Sequence, residues 1–241
     1  MTSDRLRSPW PWMALVSRTA FFAAAQALIA LFIVGIGGTG AWGASAAWWM
    51  LSATIANVAS FVLLRRLFRR EGARYRDLWR FSRDSFWKDL ALAVGGFVVA
   101  GPVAMFPMRW LGDAIVGSYD SAIAMMFRPL PAWGLWLGLL FPLTIAFAEL
   151  PTYFGYVMPR LERRLGSGWI AWALASLALS FQHAALPLVF DGPFFLWRAL
   201  MYLPFAFYIG LVVKLRPRLL PFLMVGHALI DIATWAVYFT L

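Results

Sequence analysis

The chain has 241 residues, 62% of them hydrophobic, a mean hydropathy of +0.73 and a formal net charge of +10. Charged residues make up 13%, about half the share in a soluble domain, which excludes an ordinary water-soluble enzyme; the absence of cysteine excludes disulfides and thiolate chemistry. The basic residues lie mainly between apolar blocks, so the charge reads as loops obeying the positive-inside rule, and no nucleic acid is expected as a partner.

A hydrocarbon layer about 30 Å thick takes roughly 20 apolar residues of helix. On that measure the chain reads as an all-α, polytopic membrane helical bundle of about seven transmembrane spans (seven to eight). The first is expected from Thr19 to Thr39 and the second from Ala41 to Leu64. The third runs from Asp89 to Trp110, the fourth from Trp133 to Tyr156 and the fifth from Gly168 to Phe190. The sixth runs from Pro193 to Val213 and the last from Leu219 to Leu241. Arg5, Arg7 and Arg18 precede the first span. Arg65, Arg66, Arg69, Arg70, Arg74 and Arg76 follow the second; Arg160, Arg163 and Arg164 follow the fourth; Lys214, Arg216 and Arg218 follow the sixth. Every second connection is basic, as seven spans with a cytoplasmic N-terminus require. The first apolar block is too long for a usual signal-peptide core and reads as a span.

Between the second and third spans, "RRLFRREGARYRDLWRFSRDSFWKDL" mixes Arg with Leu and aromatics at near-helical spacing, which predicts a basic amphipathic helix lying in the interface. No repeat or low-complexity tract divides the chain. It reads as a single membrane domain over 1–241, with N-terminal spans and the basic segment in 1–88 and a core in 89–241.

Titratable groups are costly inside hydrocarbon, about 2.5–3.5 kcal/mol at a span's centre, and there they mark functional sites by default. Glu71 and Glu162 fall in basic loops and need no special account. Glu149 falls within the fourth span, His183 in the fifth, and His227 and Asp231 in the seventh. His227 and Asp231 are four apart, hence on one helical face. Glu149 lies 11 residues before Arg160, roughly 16 Å, and His227 nine residues after Arg218, roughly 13 Å, whereas His183 lies 15 residues after Gly168, roughly 22 Å, deeper by about a turn. A shared pocket in the cytoplasmic half is expected. A Glu and a His around one water can activate it for attack on a carbonyl, with a second His and a neighbouring polar group stabilising the oxyanion. Alternatively, Glu149, His183 and His227 are candidate ligands for Zn²⁺ with an open fourth position. Spacing does not choose between these routes. Interhelical hydrogen bonding without chemistry and a proton relay in a transporter are the competing readings. Against the relay, the first three spans carry almost no buried ionisable residue and the halves show no repeat.

"AELPTYFGYVMPRLE", "LALSFQHA" and "GHALIDI", in that order on three spans, resemble the CPBP family of intramembrane proteases. That family includes the type II CAAX prenyl endopeptidases and bacterial relatives linked to bacteriocin self-immunity. Its motifs are EExxxR, FxxxH and HxxxN, the last often with Asp in place of Asn. The resemblance covers roughly Trp133 to Leu241. His227 and Asp231 match the third motif and His183 the second, with Leu179 where Phe is usual. The first motif is degenerate. Anchored on "GYVMPRL", Glu149 takes the first Glu, Leu150 the second and Phe154 the Arg. Anchored on "AELP", Ala148 and Glu149 take the two Glu positions and Tyr153 the Arg.

The resemblance implies a protease of a bacterial inner membrane acting on a membrane-associated peptide or protein. Glu149 and His183 would activate water, and His227 and Asp231 would form the oxyanion site, by a glutamate-type or a metal-dependent route. The missing second Glu and Arg also fit a catalytically inactive binding, scaffold or immunity protein on the same fold.

Overall fold

In hydrocarbon, a segment must satisfy its own backbone N–H and C=O groups, so apolar runs of this length fold as helices. The computed structural model describes residues 8–239 and contains no strand among them. Arg5 and Arg7, and the last two residues of the predicted seventh span, lie outside the described residues. Five helical segments are long and apolar enough to cross a membrane: 10–35, 49–70, 86–116, 192–215 and 217–239.

Helix α1 (Trp10–Gly35) begins nine residues before the predicted first span, behind Pro9, so Arg18 lies inside the helix and not in a loop. A short α2 (Ala41–Ala46) leads into α3 (Trp49–Arg70), which carries Arg65, Arg66, Arg69 and Arg70 in its last turns. Helix α4 (Phe86–Leu111) continues through a π-helical turn to Val116, followed by α5 (Tyr119–Met126).

The predicted fourth span is broken into α6 (Ala132–Gly138), α7 (Leu140–Ile145), a tight turn, a π-helical stretch (Pro151–Val157) and α8 (Met158–Leu165). The predicted fifth span holds α9 (Gly168–Phe181) and a 3-10 turn (Gln182–Ala185). The sixth is α10 (Gly192–Leu200) and α11 (Leu203–Leu215), and the seventh is α12 (Leu220–Ala236) between two 3-10 turns. Helix α1 packs on α3, α9 on α11, and α7 between α3 and α12.

The interfacial amphipathic helix does not form. Gly72, at φ +70°, turns the chain out of α3, a conformation costly for residues with a Cβ. The following residues make only a 3-10 turn (Tyr75–Trp79). Tyr75 is buried, and its hydroxyl donates to the Phe147 carbonyl at 2.8 Å. The segment is thus pinned inward by its aromatics instead of lying along a surface.

Glu71, expected to need no account, accepts from Arg160 Nε and Nη2 at 2.9 and 2.6 Å and from Tyr156 Oη at 2.9 Å. Arg218 pairs with buried Asp89 at 2.8 Å, Arg164 donates to Ser8 O, and the Arg70 guanidinium stacks over Trp10. The basic segments therefore gather at one end of the bundle. At the other end Gln26 and Trp42 both donate to Leu188 O, and Arg128 to Gly43 O.

Two apolar clusters fill the interior. One, toward the basic end, centres on Leu64, Leu161, Leu179 and Met224; the other, toward the opposite end, centres on Trp49, Phe141 and Trp197. Between them lies a layer of buried polar side chains.

Candidate functional site

Glu149 follows a break whose cause is local. Pro151 has no N–H, so the carbonyl four residues back, Phe147 O, loses its helical donor; Tyr75 Oη takes that place. Just ahead, Phe147 N and Ala148 N bond three residues back, to Thr144 O and Ile145 O, tightening the turn. Thr152 Oγ1 donates to Ala148 O at 2.6 Å on the far side. Glu149 is held 3% exposed between these two anchors.

One carboxylate oxygen, Oε2, accepts from Gln182 Nε2 at 2.6 Å and lies 3.6 Å from Arg18 Nη2. Arg18 is fully buried. Its Nε donates to Gln182 Oε1 at 2.8 Å, Nη1 to Ser60 Oγ at 3.3 Å and Nη2 to Asn57 Oδ1 at 3.0 Å. Tyr153 Oη donates to the same Gln182 oxygen at 3.2 Å, which fixes which way that amide points. Helices α1 and α3 thus clamp Oε2 through Gln182, and a buried cation with several acceptors offsets the charge of Glu149.

The other oxygen, Oε1, faces His227. Nε2 of His227 lies 3.3 Å from Glu149 Oε1 and 3.1 Å from Asp231 Oδ2. Carboxylates only accept, so this nitrogen is the protonated one. One N–H serves two acceptors and cannot point straight at both. That accounts for both oxygens being buried without a well-aligned hydrogen bond. Helix α12 comes this close to α4 because residue 226 is glycine: a Cβ there would overlap the Phe97 ring.

His183 sits where α9 tightens into the 3-10 turn. Its Nδ1 lies 2.9 Å from Leu179 O and 3.1 Å from Ser180 O, and carbonyls only accept, so Nδ1 carries a proton and Nε2 of the neutral ring is an acceptor. Arg198 holds this turn from α10: its Nε donates to His183 O at 3.2 Å and its Nη2 to Leu186 O.

Glu149, His183, His227 and Asp231 all line one cavity of about 400 Å³. Beyond these four, Asp120 and Tyr119 of α5 also line it, and the rest is largely apolar, with Ala104 and Met108 of α4, Met126, Tyr202 and Phe205. On α12 it touches His227, Ile230, Asp231 and Thr234 but nothing nearer to Arg218. The cavity therefore extends from mid-bundle toward the end away from the basic segments, not into the half where a pocket is expected.

Arg18 and Arg198 are buried cations beside the site that the sequence reading did not single out. Arg18 looks like a flanking basic residue because the start of α1 is misplaced, and Arg198 is one cation in a strongly apolar run. The burial of Arg18, with that of Asp89, also removes the contrast between polar and purely apolar halves of the chain. No group of three or more His, Asp or Glu side chains arranged to hold a metal ion occurs among the described residues. The three zinc candidates line one cavity, with Nε2 of His227 turned toward the Glu149 and Asp231 carboxylates. Compared with family models, with curated proteins and with solved structures, the chain finds no match in any of the three.

Proposed function

We propose that the protein is an intramembrane endopeptidase of the CPBP type, hydrolysing peptide bonds of a membrane-associated substrate. One observation carries this: a carboxylate, two imidazoles and a second carboxylate, drawn from three separate segments, line one cavity in the middle of an apolar bundle. Glu149 takes the proton of a water through Oε1, while Gln182 and Arg18 hold Oε2. His183, with Nδ1 committed to carbonyls, accepts from the same water through Nε2. His227 and Asp231 hold Oε1 of Glu149 in place, a positioning role that differs from the oxyanion role the family resemblance implies.

The register that puts Glu149 at the first Glu leaves Phe154 at the Arg position, and Phe154 is buried against Gly210, where a Cβ would come within 2.7 Å of its ring. Arg18, from another helix, supplies a guanidinium beside the glutamate instead. The chain crosses the membrane seven times with its basic end in the cytoplasm, and substrate enters the cavity from the opposite half.

The test is terminus profiling of membrane proteins from cells expressing wild type or Glu149→Gln at matched levels. New termini that appear with wild type and vanish with the variant are expected. Identical profiles would remove the protease reading. Proton-coupled substrate uptake into proteoliposomes would put a transporter in its place, a reading favoured by the buried Arg18–Glu149–His227–Asp231 chain.

A further inference from the structure

With His227 committed to two carboxylates, the site lacks an assigned donor for the oxyanion. Tyr202 stands at the break between α10 and α11 and lines the cavity. Its ring packs edge-on against His183, with centroids 4.7 Å apart. Its hydroxyl makes no hydrogen bond among the described residues, whereas the buried hydroxyls of Tyr75 and Tyr153 do.

Behind Tyr202, four residues back and one helical turn away, is Arg198, 1% exposed. Its guanidinium has no carboxylate partner among the described residues. It faces the His183 and Leu186 carbonyls and the sulfurs of Met126 and Met201, at 3.3 and 3.5 Å. Met126 lines the cavity as well. A buried cation paired only with dipoles and thioethers projects its field into its surroundings, because a low-dielectric interior screens it poorly. The cavity thus carries three carboxylates, Glu149, Asp231 and Asp120, and at Tyr202 one stretch of wall backed by the buried Arg198 cation.

We infer that Tyr202 is a catalytic residue of the proposed hydrolysis, the hydrogen-bond donor to the oxyanion, with Arg198 positioning the His183 turn and biasing the field. In the step, the water oxygen bonds to the scissile carbonyl carbon and its proton passes to Glu149 Oε1. The carbonyl π pair moves onto oxygen, which Tyr202 Oη–H stabilises. Collapse restores the carbonyl, breaks the C–N bond and returns the proton from Glu149 to the leaving amine. Water is the only co-reactant, and the products are a carboxylic acid and an amine, which at neutral pH become a carboxylate and an ammonium.

This inference rests on the protease reading, so its test carries the wild type and Glu149→Gln alongside. The probe is a peptide spanning a cleavage site found by terminus profiling, assayed in proteoliposomes. Tyr202→Phe keeps the ring against His183 and removes only the hydroxyl. We expect kcat to fall about 10²–10³-fold with KM within about twofold, the loss typical of one oxyanion donor. A phosphonate analogue of the same peptide, which mimics the tetrahedral anion, should inhibit Tyr202→Phe more weakly by a similar factor; a purely structural role would not produce that parallel. Wild-type kcat in Tyr202→Phe, with Glu149→Gln inactive, would overturn the role of Tyr202 and leave the protease reading standing. Absence of wild-type cleavage would overturn both.

Discussion

The molecule holds two glutamates against arginines, and they are held differently. Glu71, at the basic end, receives two guanidinium N–H groups and a tyrosine hydroxyl, and the Arg160 guanidinium stacks 3.9 Å from the Tyr156 ring centroid. Both oxygens are satisfied. Glu149, at mid-bundle on the cavity wall, has one oxygen fixed by Gln182 and one set against His227, where it shares a single N–H with Asp231. A carboxylate with every lone pair engaged is a clamp. One with a spare lone pair beside a cavity is free to take a proton. The difference lies in partner geometry, since both side chains have an arginine.

The largest effect expected from breaking this contrast is on Glu149 itself. Glu149→Gln should lower cleavage by about 10²–10⁴-fold, the range for loss of a general base, measured on folded protein at matched levels. Near-normal cleavage by that variant would mean that the free oxygen has no part in the chemistry. His183→Ala should cost activity within the same range, and retention of activity would leave the water to Glu149 alone.

Arg18→Met should act on stability first. Breaking a buried ion pair by removing one partner costs about 3–5 kcal/mol, and here Asn57, Ser60 and Gln182 also lose a donor. The midpoint of unfolding in detergent should drop well below that of wild type; an unchanged midpoint would show that water replaces the guanidinium freely. Tyr75→Phe leaves the Phe147 carbonyl without its donor, for about 1–3 kcal/mol, and loosens the break that carries Glu149. Thermal unfolding and cleavage should both decline, stability more than rate.

Glu71→Gln is the smallest, about 1 kcal/mol, because the pair is partly solvated. Its signature is in pH. Burial pushes the Glu71 carboxyl up, but hydrogen bonds and charge from Arg160 and a bond from Tyr156 outweigh it, so its pKa falls below the ordinary 4.5. A carboxyl lowered on folding adds stability that is fully present above the unfolded value and is lost as pH falls through the folded one. Wild type and Glu71→Gln should therefore differ at neutral pH and converge on acidification below 4.5, as followed by unfolding midpoints from pH 7 to pH 3.

Residue type and pattern alone gave the helical class, the apolar segments and the four titratable residues placed in oil. Hydropathy is local, and a lone His or Glu in such a run is visible without a fold. Other features depended on contacts far apart in sequence. Arg18 sits 131 residues before Glu149, and only the packing of α1 turns a flanking arginine into a buried partner. The predicted interfacial helix failed because Tyr75 finds the carbonyl that Pro151 frees, a pairing no periodicity encodes. Nor does spacing reveal that one N–H serves both Glu149 and Asp231. Composition thus determined that the chain folds as apolar helices, because backbone polar groups in hydrocarbon have no other way to be satisfied. Tertiary structure decided which polar side chains meet between the two apolar cores, which Glu149 oxygen faces His227, and that the cavity extends away from the basic end.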